Sequence, residues 1–453
     1  MQRLLIIGGS DAGISAALRA RELDRGIRPT VLVSDRFPNY SICGLPFFLS
    51  GEVTDFRDLA HRKAEDIEKE GAQLLLEHRA EKIDAAQHVV TVSTPDGERK
   101  EYPFDRLIIA TGAISTRPPI QGLDLPGVFL LRWMQDSFAV QQWMTDRRPG
   151  SAMIIGAGYI GMEMADALTH RGISVTVVEY APNVLQAVDP DFGESVRAKL
   201  EAHIVKVVLG VGVDSISSKN GRLLATGSQG FHLTTDMVIV AVGCTPMTDP
   251  IHGSGIETGV KNAIKVDRSL ATNFPDIYAA GDCAETWHRL LGKSTYLPLG
   301  TTAHKQGRIA AENALGGKRL FQGTLGTQVV KIFDLVVGRT GLREEEAKAA
   351  GFDPMSVDTE VWDHKAYYPG AKKMRIRLTG DRKNGRILGA QMMGQYGSEV
   401  SKRIDVFATA LYHGMEIEEI SDLDLSYTPP LSSPWDPVQV SSQAWMTRWR
   451  ANE

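Results

Sequence analysis

The sequence predicts an α/β protein in which one doubly wound nucleotide-binding domain is interrupted by a second, with an α+β domain closing the chain. Three observations predict it. Two segments repeat one design: RLLIIGGSDAGISAALRARE (Arg3 to Glu22) and SAMIIGAGYIGMEMADALTHRG (Ser151 to Gly172) each run from a short apolar stretch through a glycine-rich turn into helical spacing. Each is followed by a β-branched run closing on an acid, TVLVSD at Asp35 and SVTVVE at Glu179. From about residue 321 the pattern changes to alternating runs such as MRIRLTG and GRILGAQMMG.

Composition narrows the class. The chain has 453 residues, 50 Lys+Arg against 55 Asp+Glu for a net charge of −5, and 43% hydrophobic residues. That length suits about three domains, each able to bury a core. With 44 Gly and 21 Pro, collagen-like and broadly disordered readings are excluded. No run of five or six like charges offers a footprint for DNA or RNA, so no nucleic-acid partner is expected. The longest apolar stretch, Ser151 to Leu168, carries Glu163 and Asp166, so no membrane partner is expected either. The first twenty residues could pass for a signal peptide, but their apolar run is short and breaks into glycines. The three cysteines, Cys43, Cys244 and Cys283, include no CxxC and no nearby His pair. Neither a disulfide framework nor a metal site is expected, and a reducing cytoplasm is the default compartment.

Taken in order, the elements give Rossmann-like units. FDRLIIATGA (Phe104 to Ala113) and TDMVIVAVGCTP (Thr235 to Pro246) are apolar strands ending in small-residue turns, and FPDIYAAGDCAE (Phe274 to Glu285) is a third. TRPPI (Thr116 to Ile120) reads as a linker. The simplest parsing assigns 1–113 and 245–320 to the interrupted domain, 114–244 to the inserted one and 321–453 to the last. Within that last part, Lys383-Asn384-Gly385 signals a hairpin, and KRIDVFATALYHG reads as a helix stopped by Gly414. It carries no phosphate motif, so assembly is its expected role.

The second turn, Gly156-Ala157-Gly158-Tyr159-Ile160-Gly161, is a full GxGxxG between strand and helix, suited to a pyrophosphate at the helix N-terminus. Glu179, 18 positions past Gly161, can accept from a ribose 2′-hydroxyl and repel a 2′-phosphate, which favours NADH over NADPH. The first turn, Gly8 to Gly13, has Ser10 in place of the second glycine. Paired with Gly281-Asp282, whose carboxylate suits a ribityl hydroxyl, it points to FAD in the interrupted domain. Cys43 lies in NYSICGLPFFLSGEV, where Pro46 opens a helix whose N-terminal charge favours thiolate. An inert buried cysteine is the alternative. Cys244 and Cys283 end apolar strands and are expected in the core.

The ordered set GGSDAG, CGLPFFLSGEV, ATGA, GAGYIGME, AVGCTP, IYAAGDCAE and PLGTTAHKQGRIAAEN resembles the FAD- and NAD(P)H-dependent pyridine nucleotide-disulfide oxidoreductases along essentially the whole chain. One cysteine before GLP, and Tyr427-Thr428-Pro429-Pro430 in a YAPP-like tail, resemble its single-cysteine branch of coenzyme A disulfide reductase, persulfide reductase, NADH oxidase and NADH peroxidase. The resemblance implies FAD at Gly8, Ser10, Gly13, Asp35, Arg36, Ala80, Ala110, Thr111, Gly112, Asp282, Leu299, Gly300, Thr301 and Thr302. It implies NADH at Gly156, Gly158, Tyr159, Ile160, Gly161, Glu163, Glu179 and Gly243, with Tyr159 as a ring gating the flavin. Cys43 would lie against the flavin. A homodimer would lend Tyr367 or Tyr368, and Tyr427, to the partner's catalytic site. The implied function is reduction of a small disulfide or persulfide through Cys43. The alternatives are an NADH oxidase or peroxidase working through a Cys43 sulfenate, and an electron-transfer flavoprotein reductase with a structural Cys43.

Three departures from the family pattern stand out. Ile42 precedes the cysteine where Asn or Ser is common, and Asn39 and Tyr40 replace commoner neighbours, which weakens the case for coenzyme A. Asp11 stands where peroxidase and oxidase members resemble one another in a His; beside a thiolate it would raise the thiol pKa, unless it serves as a helix cap. The tail WDPVQVSSQAWMTRW reads as exposed apolar edge or subunit packing.

Overall fold

A computed structural model describes residues 2–451, so the outer limits of the expected division, 1 and 453, lie outside the described residues. The first sheet has five parallel strands in the order Ile277–Ala279, Arg106–Ile109, Leu4–Ile7, Thr30–Val33, Gln73–Leu76. All four residues of Leu4–Ile7 are buried, as both faces of a parallel sheet must be. Its edge strand, Ile277–Ala279, arrives only after the second unit has intervened, which is the interruption the repeat predicts. On one face the helices Asp11–Leu23 and Gly300–Ala314 pack closely, because small residues meet there: a Cβ on Gly307 would stand 2.1 Å from the Ala12 carbonyl oxygen.

The second sheet is also five-stranded and parallel, in the order Lys206–Leu209, Ser174–Glu179, Ser151–Ile155, Met237–Val240, Val128–Leu130. The helix Tyr159–His170 buries Met162, Met164, Ala165 and Leu168 against its surroundings. Where the chain passes between the units, Ala113–Ser115 pairs antiparallel with Cys244–Pro246. The divisions expected at 113/114 and 244/245 both run through this ladder. The TRPPI stretch is anchored at its start, since Thr116 N–H donates to the Gly243 carbonyl at 2.9 Å.

The last third forms an antiparallel sheet, Gln328–Ile332, Leu335–Gly341, Ile387–Gln395, Lys373–Asp381, Pro354–Trp362. Lys383 to Gly385 lies in the connection between two of its strands, and the helix Val400–His413 ends at Gly414, both as expected. The closing helix, Pro437–Arg450, is capped by Asp436, which accepts from Val438 N–H at 3.0 Å. Its indoles turn inward: Trp445 is fully buried and donates to the Met355 carbonyl at 2.8 Å, and Trp449 to that of Arg382 at 3.0 Å. Trp445 and Trp449 therefore pack on their own chain, whereas Trp435, at the start of the tail, is 55% exposed and is the apolar edge that was expected.

A polar seam joins this sheet to the second unit. Asp189 N–H donates to Gln391 Oε1 at 2.7 Å, while Gln391 Nε2 and Arg377 donate to the Asp189 carboxylate at 2.6 and 2.9 Å. Arg339 and Arg343 donate to the carbonyls of Ala187 and Val188 at 2.6 and 3.2 Å. Among the described residues no helix is long and apolar enough to cross a membrane.

Candidate functional site

Both glycine turns open on one cavity of about 2520 Å³, well above the roughly 300–1,000 Å³ usual for a single ligand, so it has room for more than one. Each turn is built by backbone resting on backbone. Gly8 has φ +121° and a Cβ there would stand 2.0 Å from the Ala110 carbonyl oxygen; Gly156 has φ +103° and its Cβ would meet the Ala241 oxygen at 2.5 Å. A side chain is excluded at both, and the chain reverses tightly enough to aim the following helix end at the cavity.

The residues expected around the first turn line this cavity at Gly8, Ser10, Asp35, Ala80, Ala110, Thr111, Gly112 and Asp282, and along Leu299 to Thr302. Asp35 accepts from Phe37 N–H at 2.8 Å, and burial holds its carboxyl pKa above the ordinary value. Of the residues expected around the second turn, Gly156, Gly158, Tyr159, Ile160, Glu163, Glu179 and Gly243 line the same cavity. Glu179 accepts from Ala157 N–H at 2.7 Å and Ala181 N–H at 2.8 Å. It braces the turn and keeps lone pairs for a further donor. Gly158 has open space where its Cβ would be, so a ligand can approach the backbone. These glycine cradles, each leading into a helix end that faces the cavity, fit a dinucleotide at each turn.

Three expected residues stay out of the cavity. Gly13 and Gly161 sit behind their turns, where a Cβ would strike the oxygens of Gly8 at 1.8 Å and Gly156 at 2.1 Å; they permit the cradle and do not line it. Arg36 points to solvent and pairs with Glu77 at 2.7 Å.

Cys43 lies within a 3₁₀ turn, Ile42–Gly44, that runs directly into the short helix Leu45–Ser50. The segment is pinned from both sides: Asn39 N–H donates to the Gly9 carbonyl at 2.7 Å and Ser41 N–H to that of Leu59 at 2.8 Å. Beneath it, Tyr40 stacks on Phe56 and meets Phe37 edge-on, and Phe56 meets Phe138 at 5.0 Å, a rigid aromatic bed that explains Tyr40. The thiol opens to the cavity. Its pKa is raised, first by protein packed around the sulfur, then by the charges of Glu163, Asp11 and Asp282, with Arg132 opposing. Sequence reading expected a helix terminus to favour thiolate; the helix does follow, at Leu45–Ser50 with Pro46 in its first turn, but burial of the sulfur, followed by the carboxylates, moves the pKa the other way. Glu163 is itself perturbed, pushed up to about 7 by burial and by Asp166, against the pull of Lys331.

Several contributors carried no sequence signal. Arg132 donates to the Asp282 carboxylate at 2.6 Å, both side chains largely buried, so one oxygen of Asp282 is already engaged. Tyr296 donates to the Asp282 carbonyl at 3.1 Å and stands 4.0 Å from Cys244 Sγ. Cys244, expected in the core, is instead half-buried and lines the cavity; Cys283 is buried as expected, its thiol 3.4 Å from the carbonyls of Ile109 and Ala280. Tyr367, Tyr368 and Tyr427 line no part of their own chain's cavity and are 73%, 42% and 44% exposed, with the hydroxyls of Tyr367 and Tyr427 in contact. Among the described residues no group of His, Cys, Asp and Glu is placed to hold a metal ion.

Comparison with known proteins gives a consistent result. The family model for the pyridine nucleotide-disulphide oxidoreductases matches residues 2–307, and that for the dimerisation domain of the same family matches residues 327–437. The chain is 32% identical over 443 residues to an NADH oxidase of Methanocaldococcus jannaschii, covering 97% of this chain and 98% of that protein. It is 33% identical over 441 residues to an NAD(P)H sulfur oxidoreductase (CoA-dependent) of Pyrococcus furiosus, with the same coverage of 97% and 98%. Among solved structures, an NAD-dependent persulfide reductase from A. fulgidus superposes with a TM-score of 0.94 at 34% identity, covering 98% of this chain and 83% of that one.

Proposed function

This chain belongs to the pyridine nucleotide-disulphide oxidoreductase family, and we propose that within it the protein passes electrons from NADH to a small disulfide or persulfide through Cys43. It is an FAD-dependent NAD(P)H oxidoreductase acting on sulfur compounds, with a dimerisation domain at its C-terminal end. The observation that carries the finer reading is that the Cys43 thiol opens into the one cavity both glycine turns share.

FAD, when bound, supplies two-electron exchange between a nicotinamide and a sulfur. Gly8, Ser10, Thr111, Gly112 and Asp282 would hold it, with the helix end at Gly300 to Thr302. Gly156, Gly158 and Glu179 would hold NADH; the carboxylate at Glu179 would repel a 2′-phosphate, and Tyr180 to Asn183 bring no Lys or Arg to offset that. Tyr159, whose hydroxyl burial keeps protonated, would cover the site from the second helix. Cys43 would then exchange with the substrate's S–S bond to form a mixed disulfide and release one thiol, on a segment whose neighbouring Tyr40 is anchored in the aromatic bed. Tyr367, Tyr368 and Tyr427, remote from their own cavity, would serve that of a second copy by donating to the leaving sulfur. A reducing cytoplasm suits this thiol chemistry.

The test is Cys43→Ser assayed with NADH against coenzyme A disulfide, inorganic polysulfide, oxygen and an artificial dye. Sulfur acceptors should lose roughly 10³-fold or more while the dye is still reduced. Retained disulfide and polysulfide reduction would sink the proposal. Loss confined to oxygen consumption would favour the chemistry named for the Methanocaldococcus jannaschii relative.

A further inference from the structure

Asp11, His304, Ser15 and His61 form a polar cluster at the edge of the cavity. Asp11 opens the helix Asp11–Leu23, and its Oδ1 lies 3.4 Å from His304 Nε2. His304 Nδ1 lies 2.8 Å from Ser15 Oγ, and that contact turns Nε2 toward the carboxylate. The His61 ring stands edge-on to His304 with centroids 6.3 Å apart. The His304 side chain is 46% exposed and that of Asp11 22%, and Asp11 lines the cavity close enough for its charge to act on Cys43. One end of the cluster is therefore in water and the other faces the cavity into which the Cys43 thiol opens. Nor does Asp11 cap its helix: Ser10 is the N-cap, and no side chain closes the helix end.

The reaction consumes a proton that such a path can deliver. Cleavage follows NADH + H⁺ + R–S–S–R′ → NAD⁺ + RSH + R′SH: the hydride brings two electrons and one proton, and the second proton comes from water. The geometry points to Asp11 as the group that carries this proton to the sulfur held at Cys43, with His304 and His61 reloading it from solvent. This inference rests on Cys43 being the redox sulfur. The groups facing Asp11 suit the role. Burial and Asp282 favour its protonated form, while His304, His61 and Arg132 oppose, and the net direction is upward, toward a carboxyl that can hold a proton nearer neutrality. His304 and His61 act through Asp11 and are positioning residues.

The test loads Cys43 of the holoenzyme with methyl methanethiosulfonate, adds NADH for a single turnover, and follows loss of the methylthio group from the Cys43 peptide by mass. Asp11→Asn should slow this loss roughly tenfold or more at about pH 8, much less at about pH 6, with partial rescue by added imidazole and no change in hydride uptake from NADH. His304→Gln should give a smaller loss that also grows with pH. Asp11→Asn should in addition lower the pH at which iodoacetamide alkylates Cys43, because a negative charge leaves the thiol. Wild-type cleavage with Asp11→Asn equally fast at both pH values would overturn the relay alone. If NADH leaves the wild-type adduct intact, the Cys43 reading falls first and the relay with it.

Discussion

The two glycine turns are the same construction put to different uses. In both, the outer glycines let one backbone lie on another: a Cβ on Gly13 or Gly161 would sit within about 2 Å of the carbonyl at the start of its own turn, as the 1.8 and 2.1 Å approaches show. In both, the middle residue is extended, Ser10 at φ −104° and Gly158 at φ −79°, conformations open to any side chain. The turns part company at that point. The first continues Ser10-Asp11 and brings a carboxylate into the cavity; the second continues Gly158-Tyr159 and brings a ring. Packing fixes the outer positions, and the middle pair is left free to carry chemistry.

Breaking the outer positions should have the largest effect. Gly8→Ala places a methyl 2.0 Å from a backbone oxygen at φ +121°, and should cost about 4 kcal/mol and strip the flavin, read as lost visible absorbance. Gly156→Ala, with a looser approach of 2.5 Å, should cost about 3 kcal/mol and keep the flavin while abolishing its reduction by NADH. Loss of flavin in both variants would show that the turns are not independent.

Next comes the helix that leaves the second turn. Glu163 titrates at about 7 in the fold against an ordinary carboxyl near 4.5, so between those values the folded chain binds more protons than the unfolded one. Stability conferred by this group is present below about 4.5 and lost as pH rises through about 7. Urea unfolding of the holoprotein should therefore show a decline on the order of 2 kcal/mol across that interval, and Glu163→Gln should flatten it. An unchanged slope would place the titration elsewhere.

The smallest effects sharpen the comparison at the middle position. Ser10→Gly completes the first motif and should shift stability by less than about 1 kcal/mol with flavin retained. Gly158→Ser, entering open space, should be equally mild on stability yet raise the KM for NADH roughly tenfold, by crowding the ligand's approach.

Features written in neighbouring residues were legible in the sequence: both turns, the acids Asp35 and Glu179, the hairpin at Lys383 to Gly385, and the helix stop at Gly414. The interruption was legible because a pattern recurs. Pairings across long separations were not. Arg132 and Asp282 are 150 positions apart and Cys244 and Tyr296 are 52 apart, and neither pair shares a period or motif. The environment of Cys43 was half legible. Local sequence gives the turn, but the packing that raises its thiol pKa, and the carboxylates of Glu163, Asp11 and Asp282 that add to it, come from distant parts of the chain. The tail was half legible for a related reason: Trp435 is exposed as read, but Trp445 and Trp449 read as surface or interface until their partner carbonyls, at Met355 and Arg382, are in view.

The seam at Asp189 has a consequence for how the molecule comes apart. Pulling away the C-terminal sheet would leave that buried carboxylate without Gln391 and Arg377, and would uncover the guanidinium of Arg339 as well. Neither side of the seam can open alone at small cost, so the inserted unit and the last third should melt as a single calorimetric peak, and a protease should find no early cut between them.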